Sequence, residues 1–99
     1  MTISTKVISD TNELVIVVEG TFDFNSVQDF RSSYSGGETY KKYTVDMANV
    51  DHIDSSALGM LLNMKKSVGE GIPIAIVNCK PNLKKIFVIS RFDKKFDFS

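Results

Sequence analysis

The sequence predicts an α/β fold in which helices pack on a mixed, mainly parallel sheet of about four to five strands. Runs of β-branched residues alternate along the chain with segments of helical periodicity, and this alternation is typical of strand–helix–strand units. Stretches rich in glycine, proline, Asp and Asn separate the runs, as turn residues do. Hydrophobic residues make up 42% and charged residues 24% of the 99 residues, so we expect one domain over residues 1–99.

The first third of the chain predicts a hairpin followed by a helix. Ile3, Thr5 and Val7 alternate with polar neighbours, which indicates an edge strand. Residues 14–18 form a nearly continuous β-branched run, which is typical of a strand buried on both faces. Asn25 can cap the first helix, whose apolar stripe would lie on the sheet. The residues at helical spacing in it are Val27, Phe30, Arg31 and Tyr34.

The middle of the chain predicts one strand and one helix. Residues 43–47 are rich in β-branched and aromatic side chains and suit a half-buried strand. A connector over residues 48–54 leads to a helix over about residues 56–68, which Gly69 ends. Gly59 would allow close packing of this helix. The helix residues expected to face the sheet are Leu58, Leu61, Leu62 and Val68.

The last third predicts a strand, a helix and a short final strand. Residues 72–77 suit another buried strand, and Pro81 can open the third helix because its missing N–H has no intrahelical partner there. Phe96 and Phe98 alternate with charged residues and predict the last strand. The expected order of elements is therefore β-β-α-β-α-β-α-β. The residues at helical spacing in the third helix are Leu83, Ile86, Phe87 and Ser90.

Charge and composition argue against several classes of protein. Twelve basic and twelve acidic residues give no positive field, so no nucleic acid is expected as a partner. No apolar run approaches the roughly 18–20 residues that span a bilayer, so no direct membrane insertion is expected. Cys79 has no other cysteine to pair with and suits a small core residue, and the first residues lack a signal peptide, which predicts a cytoplasmic protein. No motif implies a cofactor or a metal.

The segment with the most chemical information is residues 50–61, where a loop brings two serine hydroxyls to the start of a helix. The first N–H groups of a helix have no intrahelical partner and carry partial positive charge. Ser55 and Ser56 can therefore cap the helix, and a phosphate can also be accommodated there. Asp54 lies in the same loop, and Asp23 lies in a second loop that should reach this end of the sheet. An ordinary helix cap and a phosphorylation site are both open interpretations.

Three segments of the chain match the pattern of one protein family. Residues 54–59, Asp-Ser-Ser-Ala-Leu-Gly, are similar to an Asp-Ser-Ser/Thr-Gly-Leu-Gly signature. Residues 20–23, Gly-Thr-Phe-Asp, resemble a Gly-Glu-hydrophobic-Asp segment, and residues 86–92 resemble a Leu/Ile-Phe…Ser-Gly-Leu ending. The pattern covers nearly the whole chain and resembles the anti-sigma-factor antagonists of the STAS family. The resemblance implies a single domain with the STAS fold.

The resemblance also implies a partner switch controlled by phosphorylation. In this family an anti-sigma factor that is also a serine protein kinase phosphorylates the serine directly after the aspartate, and a metal-dependent serine phosphatase reverses the reaction. The acceptor here would be Ser55, with Ser56 as the alternative. The unphosphorylated form would bind the anti-sigma factor and the phosphorylated form would release it. Such a protein is not an enzyme, needs no cofactor and is expected to be monomeric when free.

The implied partner-binding surface surrounds the acceptor serine. Met60 and Met64 lie four residues apart, so an exposed pair would add an adaptable patch, whereas a buried pair would widen the core stripe. Ala57 replaces the usual glycine and adds a methyl group where a partner's backbone would approach, and Arg91 replaces a second glycine. The residues of the implied surface are Asp23, Asp54, Ser55, Ser56, Ala57, Gly59, Met60 and Met64.

Other classes of function can be compared with this one. A hydrolase built on Ser55 needs a base, but His52, the only histidine, lies three residues away in the same loop, and no Gly-x-Ser-x-Gly elbow is present. No glycine-rich phosphate loop supports a nucleotide site. The main alternative is a non-phosphorylated STAS subunit that scaffolds a multiprotein or lipid-transport complex, in which Ser55 would only cap the helix.

Overall fold

Five strands and three α-helices make up the described part of the chain, which is residues 2–69 and 71–98 of the computed structural model. The strands are β1 (Thr2–Ile8), β2 (Glu13–Phe22), β3 (Lys42–Ile53), β4 (Ile74–Val77) and β5 (Asp97–Phe98). The helices are α1 (Val27–Tyr34), α2 (Ser55–Val68) and α3 (Pro81–Ile89), and short 3-10 turns cover Phe24–Ser26 and Phe92–Lys94. This order confirms the predicted β-β-α-β-α-β-α-β sequence of elements.

The sheet has the strand order β1-β2-β3-β4-β5, so neighbours in space are also consecutive in the sequence. β1 pairs antiparallel with β2, and the other three pairings are parallel. Parallel neighbours need a crossover connection, and α1, α2 and α3 each supply one. The predicted α/β class with a mixed, mainly parallel sheet is therefore confirmed.

The hydrophobic core lies between the helices and one face of the sheet. Ile16 and Val18 of β2 are fully buried in it, as the two-residue period of a strand requires. Phe30, Leu61 and Phe87, one from each helix, belong to the same buried cluster. The three helices therefore cover the same face of the sheet. Each helix begins at the end of the sheet where the parallel strand before it terminates.

β3 is longer than the sequence predicts. The predicted strand ended at Met47 and was followed by a connector, whereas the observed strand continues to Ile53. Val50 and Ile53 are buried, and this second half of β3 extends the pairing with β2. Two irregularities shift the register between the strands. Because bulges break the alternation of apolar and polar residues, the second half of β3 does not show a strand pattern in the sequence.

The start of α1 and the outer face of α2 also differ from the prediction. Asn25 does not cap a helix, because the carboxylate of Asp23 caps the 3-10 turn that precedes α1. Leu62 was expected to face the sheet, but it lies on the outer side of α2 and is exposed. Phe30 and Tyr34 are buried, so the apolar stripe predicted for α1 is confirmed.

The last third of the chain follows the predicted order of elements, but Ile86 and Ser90, which share the helical spacing predicted for the third helix, are exposed. β4 begins at Ile74, slightly later than predicted, and Pro81 is the first residue of α3. Phe96 is buried and Phe98 lies in β5. No helix within residues 2–69 or 71–98 has the length and apolar character needed to cross a membrane.

Candidate functional site

The carboxyl ends of β2 and β3 bring two aspartates to the same edge of the sheet. Phe22 and Ile53 are partners in the parallel register, and each is the last residue of its strand. Neighbouring strands lie about 4.8 Å apart. Asp23 and Asp54 directly follow these partners, so they begin two adjacent loops. The expectation that the loop of Asp23 reaches the same end of the sheet as Asp54 is therefore confirmed.

Asp54 caps α2. Its backbone is extended, with φ −126° and ψ −175°, and its Oδ1 accepts hydrogen bonds from the backbone N–H groups of Ser56 at 2.9 Å and Ala57 at 3.2 Å. These N–H groups have no acceptor within the helix, so the carboxylate satisfies them. The aspartate, and not a serine hydroxyl, therefore supplies the helix cap.

The two serines of the first turn differ in exposure. Ser55 is the first residue of α2 and its side chain is exposed, Ser56 is half-buried, and Ala57 is fully buried. Successive helix residues are rotated by about 100° around the axis, so three residues are enough to pass from solvent to the core. Asp54 therefore makes the capping hydrogen bonds, and Ser55 is the exposed residue of the first turn.

Asp23 helps to fix the neighbouring loop. Its Oδ1 accepts a hydrogen bond from the N–H of Asn25 at 3.0 Å, and its own N–H donates to Oγ of Ser26 at 3.2 Å. The Ser26 hydroxyl donates to the carbonyl of Thr21 at 3.5 Å, and Ser26 is fully buried. This reciprocal bonding holds the half-buried Asp23 in place beside the start of α2.

Phe24 is an exposed aromatic residue at this edge of the sheet that was not predicted as a site residue. It lies in the 3-10 turn next to Asp23, and 66% of its surface is exposed. Aromatic residues are enriched in protein–protein interfaces. The signal in the sequence is a phenylalanine placed between two loop-forming polar residues, Asp23 and Asn25, after the strand has ended.

Ser55, Gly59 and Leu62 form a line along the outer face of α2, with the spacing i, i+4, i+7. Gly59 is exposed, and a Cβ placed on it would meet no atom within 4 Å. The expectation that Gly59 allows close packing of the helix is therefore wrong, because no part of the described fold approaches it. Beyond Ser55, the line presents bare backbone and then an exposed leucine to solvent.

Met60 and Met64 lie in the core and not on the surface. Met60 is 8% exposed and Met64 is completely buried. Val27 and Phe30 of α1 line the same side of α2 as Met60, so this flank is covered. The prediction of an exposed methionine pair is wrong, and the alternative, a wider core stripe, is correct. The methyl group of Ala57 is also buried, so it belongs to the core and not to the surface of the domain.

Charged groups near the site include an exposed ion pair. Nζ of Lys80 lies 2.7 Å from Oδ1 of Asp51, which connects the start of α3 with the end of β3. Exposed pairs of this kind contribute little to stability. His52 is exposed beside Asp51. Over the residues that the structure describes, no three His, Cys, Asp or Glu side chains are grouped to hold a metal ion.

Cys79 follows β4 and is half-buried against the core. Burial raises the pKa of its thiol, although the positive charge of Lys84 lowers it in part. A raised pKa reduces the fraction of reactive thiolate at neutral pH. The environment therefore suits the small packing residue that the sequence predicts.

Proteins of known sequence resemble this chain over most of its length. The family model of the STAS domain matches residues 2–99. The STAS-domain containing protein PA14_20770 of Pseudomonas aeruginosa (strain UCBPP-PA14) is 43% identical over 93 residues, which cover 92% of this chain and 92% of that protein.

Solved structures show the same fold at low sequence identity. The anti-sigma factor antagonist SpoIIAA in its unphosphorylated form has a TM-score of 0.75 and 16% identity, covering 99% of this chain and 87% of that one. The phosphorylated form of SpoIIAA from Bacillus has a TM-score of 0.74 and 17% identity, covering 99% and 91%. A sulfate transporter family protein from Wolinella succinogenes has a TM-score of 0.74 and 17% identity, covering 88% and 76%.

The low identities limit the likeness to solved structures to the fold, whereas the family model and the Pseudomonas relative each cover most of the sequence. Because the family model matches residues 2–99 and this relative is 43% identical over most of both chains, the chain belongs to the STAS domain family.

Proposed function

We propose that this protein is a partner-switching regulator of the anti-sigma-factor antagonist type, acting as a single STAS domain. The observation that carries the proposal is the exposed Ser55 at the first turn of α2, directly after Asp54 and at the same end of the sheet as Asp23. The unphosphorylated form binds an anti-sigma factor that is also a serine kinase, and phosphorylation of Ser55 releases it. The same fold in SpoIIAA, an antagonist solved in both forms, supports this proposal.

The modification itself is a phosphoryl transfer to Ser55. Oγ forms a bond to the γ-phosphorus of ATP, the bond from that phosphorus to the bridging oxygen breaks to leave ADP, and the hydroxyl proton passes to a base of the kinase. A metal-dependent phosphatase then uses water to release inorganic phosphate and restore the serine. Ser55 is a better acceptor than the alternative, Ser56, because Ser56 is half-buried and Ser55 is exposed.

A phosphate on Ser55 would remain at the surface of the domain. It adds about −1.5 to −2 charge, but the Asp54 carboxylate already occupies two of the first N–H groups of α2. The helix terminus offsets only about 0.3–1 kcal/mol per charge, which is enough for the domain to tolerate the group. No hydrogen bond of the core has to break, so the folded state should persist after modification.

A bound partner would experience a much larger effect. In an interface shaped for an uncharged serine, the phosphate is removed from water, and its repulsion from the Asp54 and Asp23 carboxylates grows because water no longer screens it. Together these effects cost on the order of several kcal/mol. A loss of about 3–4 kcal/mol corresponds to a hundred- to a thousandfold weaker affinity. One modification is therefore sufficient to end the interaction without refolding the domain.

The proposed partner surface differs from the predicted one in two respects. It retains the residues at the two loops and on the outer face of α2, and it excludes the buried side chains of Ala57, Met60 and Met64. It gains Phe24 and Leu62, which are apolar and exposed. The surface proposed for the partner comprises Asp23, Phe24, Asp54, Ser55, Ser56, Gly59 and Leu62.

Two substitutions of Ser55 test the switch against the purified cognate kinase. Ser55→Ala should bind the kinase constitutively and incorporate no phosphate, whereas Ser55→Asp should bind at least about a hundredfold more weakly. Ser9→Asp is the matched control, because Ser9 is exposed in the β1–β2 turn at the opposite end of the sheet. Titration calorimetry gives the affinities, and a phosphopeptide map identifies the acceptor.

A scaffold subunit of a multiprotein or lipid-transport complex is the second candidate function. The likeness to a sulfate transporter family protein supports considering it, because the fold also occurs outside the anti-sigma factor antagonists. In a scaffold Ser55 would not be modified. Equal binding of Ser55→Ala and Ser55→Asp, together with no phosphate incorporation, would favour the scaffold and contradict the switch.

We further propose that the free protein is a cytoplasmic monomer. In the part of the chain that the structure describes, no helix is suited to cross a membrane. Light scattering of the purified protein checks the monomeric state, and fractionation of cells checks the location. A dimer in solution would contradict the first of these expectations.

A further inference from the structure

The positive charges of the chain are concentrated near its C-terminal end. Residues 80–95 contain six of the twelve Lys and Arg residues but one of the twelve Asp and Glu residues, Asp93. This segment therefore carries a net charge of +5 in a protein whose total charge is zero. Its cations other than Lys80, which pairs with Asp51, project from α3 and the turn after it.

The same segment exposes large apolar side chains. Leu83 and Phe87 of α3 are buried against the sheet, whereas Val88 is 48% and Ile89 is 77% exposed. Ile86, on the flank between these two faces, is 39% exposed. Apolar side chains that no described part of the fold covers, adjacent to fixed charges, are typical of surfaces that bind another macromolecule.

Arg91 adds a second, independent observation. Its backbone is left-handed, with φ 63° and ψ 27°, a conformation that residues with a Cβ adopt at an energetic cost and that glycine adopts freely. The side chain is exposed, and among the described residues the guanidinium has no ion pair. The arginine side chain therefore makes no ion pair that stabilises the described fold. Its guanidinium could instead pair with a carboxylate on another molecule.

We propose that the outer surface of α3 binds an acidic amphipathic helix of another protein, independently of the Ser55 site. Such a helix would place apolar side chains on Val88 and Ile89 and carboxylates on the surrounding cations, since helix-to-surface docking uses this combination of contacts. The residues of this α3 surface are Lys84, Lys85, Ile86, Val88, Ile89 and Arg91.

An anionic membrane fits the α3 surface less well. Lys85 lies one helical turn before Val88 and Ile89, so it projects between them on the outer face. Inserting the two apolar residues into hydrocarbon would bring the ammonium of Lys85 to the same depth, which carries a desolvation penalty. A carboxylate from a protein helix can pair with that ammonium at the surface.

A designed peptide pair tests the proposal directly. The probe is a helix-stabilised peptide with leucines on one face and glutamates on the flanks, and its counterpart carries lysines in place of the glutamates. We expect the acidic peptide to bind and the basic peptide not to bind. The double variant Lys84→Glu/Lys85→Glu should bind the acidic peptide about tenfold or more weakly. The matched control is Lys41→Glu/Lys42→Glu, which changes the net charge equally at two exposed positions at the start of β3.

Two single variants guard against an effect on folding. Arg91→Gly removes the cation and relaxes the left-handed backbone, so it should lower affinity for the acidic peptide without lowering Tm. Ile89→Ser should also weaken binding, because it removes an apolar side chain of the α3 surface. It should leave the fold intact, because Ile89 is exposed and contributes little to the core. Equal binding of all variants would overturn the proposal. Binding to vesicles with anionic lipids, in the absence of binding to the acidic peptide, would overturn it in favour of a membrane.

Binding of the acidic peptide to the α3 surface should not depend on the Ser55 site. Ser55→Asp should bind the acidic peptide as the unsubstituted protein does, because the serine lies outside the α3 surface. A failure of the partner switch would therefore leave the peptide result unchanged, and a failure of peptide binding would leave the switch unchanged. Loss of peptide binding in Ser55→Asp would contradict the independence of the two surfaces.

Discussion

Asp54 has two roles that substitutions can separate, since it caps α2 and also places a negative charge beside Ser55. Asp54→Ala removes the acceptor for the N–H groups of Ser56 and Ala57, so the free energy of unfolding should fall by about 1 kcal/mol. Asp54→Asn keeps an oxygen acceptor and should lose only a few tenths of that amount. Urea denaturation of the three proteins measures these differences.

The comparison between the alanine and asparagine variants decides the origin of the stabilisation. A loss in Asp54→Asn as large as that in Asp54→Ala would mean that the charge, and not the hydrogen bonds, stabilises the first turn. In the partner-binding assay, Asp54→Asn should also reduce the effect of phosphorylation, because one of the like charges near the phosphate is gone.

Phe24 should contribute to partner binding without contributing to stability. Its ring is largely exposed in the free protein, so Phe24→Ala removes little buried surface from the fold. In a docked complex the same change would remove an aromatic anchor, and we expect an affinity loss of about tenfold or more, or roughly 1–2 kcal/mol. Titration with the cognate partner measures this loss.

Val7→Ala is the control for the change at Phe24. Val7 is also an exposed apolar residue, at 55%, but it lies on β1 near the β1–β2 turn and far from the loops of the site. Its substitution should leave affinity unchanged. If Phe24→Ala binds as tightly as Val7→Ala does, Phe24 does not belong to the partner surface.

The sequence indicated the site residues but not which of them caps the helix. Asp54, Ser55 and Ser56 are all good capping residues, and a shift of one residue in the start of a helix exchanges their roles. The side chains of Met60 and Met64 were misassigned for a different reason. Their burial depends on how much of α2 is covered by its neighbours, which helical periodicity does not reveal.

At the scale of elements, the outer face of α2 offers a test in which stability and binding change in opposite directions. Gly59→Ala replaces a glycine inside a helix at a position where a Cβ meets nothing, so the domain should gain about 0.5–1 kcal/mol of stability. If a partner packs against the bare backbone there, the added methyl group should weaken binding by several-fold or more. Urea denaturation and partner titration measure the two effects.

Gly36→Ala is the matched control for Gly59→Ala. Gly36 is also exposed with no atom near its missing Cβ, but it lies after α1. It should leave partner affinity unchanged. If Gly59→Ala binds the partner with unaltered affinity, the middle of α2 does not belong to the proposed partner surface. This result would not contradict the Ser55 switch, which the Ser55 variants test.

Periodicity predicted the existence of elements better than their length. α3 begins at Pro81 as predicted, because a proline at the first helical position has a clear physical reason. The strand predicted for β3 was too short, because residues 48, 49, 51 and 52 are exposed and do not continue a simple alternation of apolar and polar residues. Register shifts against β2 cause this exposure, and they depend on pairing between distant segments.

For the whole molecule, the main expectation is that a negative charge at Ser55 leaves the fold intact. Ser55→Asp places an acid at the first position of α2, where the helix dipole favours it, so the free energy of unfolding should change by less than about 1 kcal/mol. A change of that size shifts Tm by roughly 4–8 °C at most in a domain of this length. Circular dichroism during heating measures it.

If a large fraction of the Ser55→Asp protein were unfolded at room temperature, this would contradict a switch that acts only at the surface. It would indicate instead that modification disrupts the first turn of α2. The side-chain exposure of Ser55 argues against this outcome, since an added carboxylate at an exposed helix start displaces no core residue.

The fold class and the order of elements along the chain were accessible from the sequence because local patterns and global topology agree. Each predicted strand and helix has its own periodicity, and short loops connect them in an order that allows a parallel sheet. The site was only partly accessible. The placement of Asp23 and Asp54 at the same end of the sheet follows from the pairing of Phe22 with Ile53, whereas the exposure of Phe24 depends on how one loop closes.

The sequential strand order has a consequence for how the protein forms during synthesis. Each new strand pairs with the strand that left the ribosome just before it, and no strand waits for a later segment to be inserted beside it. The nascent chain can therefore extend its sheet one crossover at a time from the N-terminal hairpin. Ribosome-bound chains from which β3 has just emerged should already protect the backbone amides of β1 and β2 from hydrogen exchange.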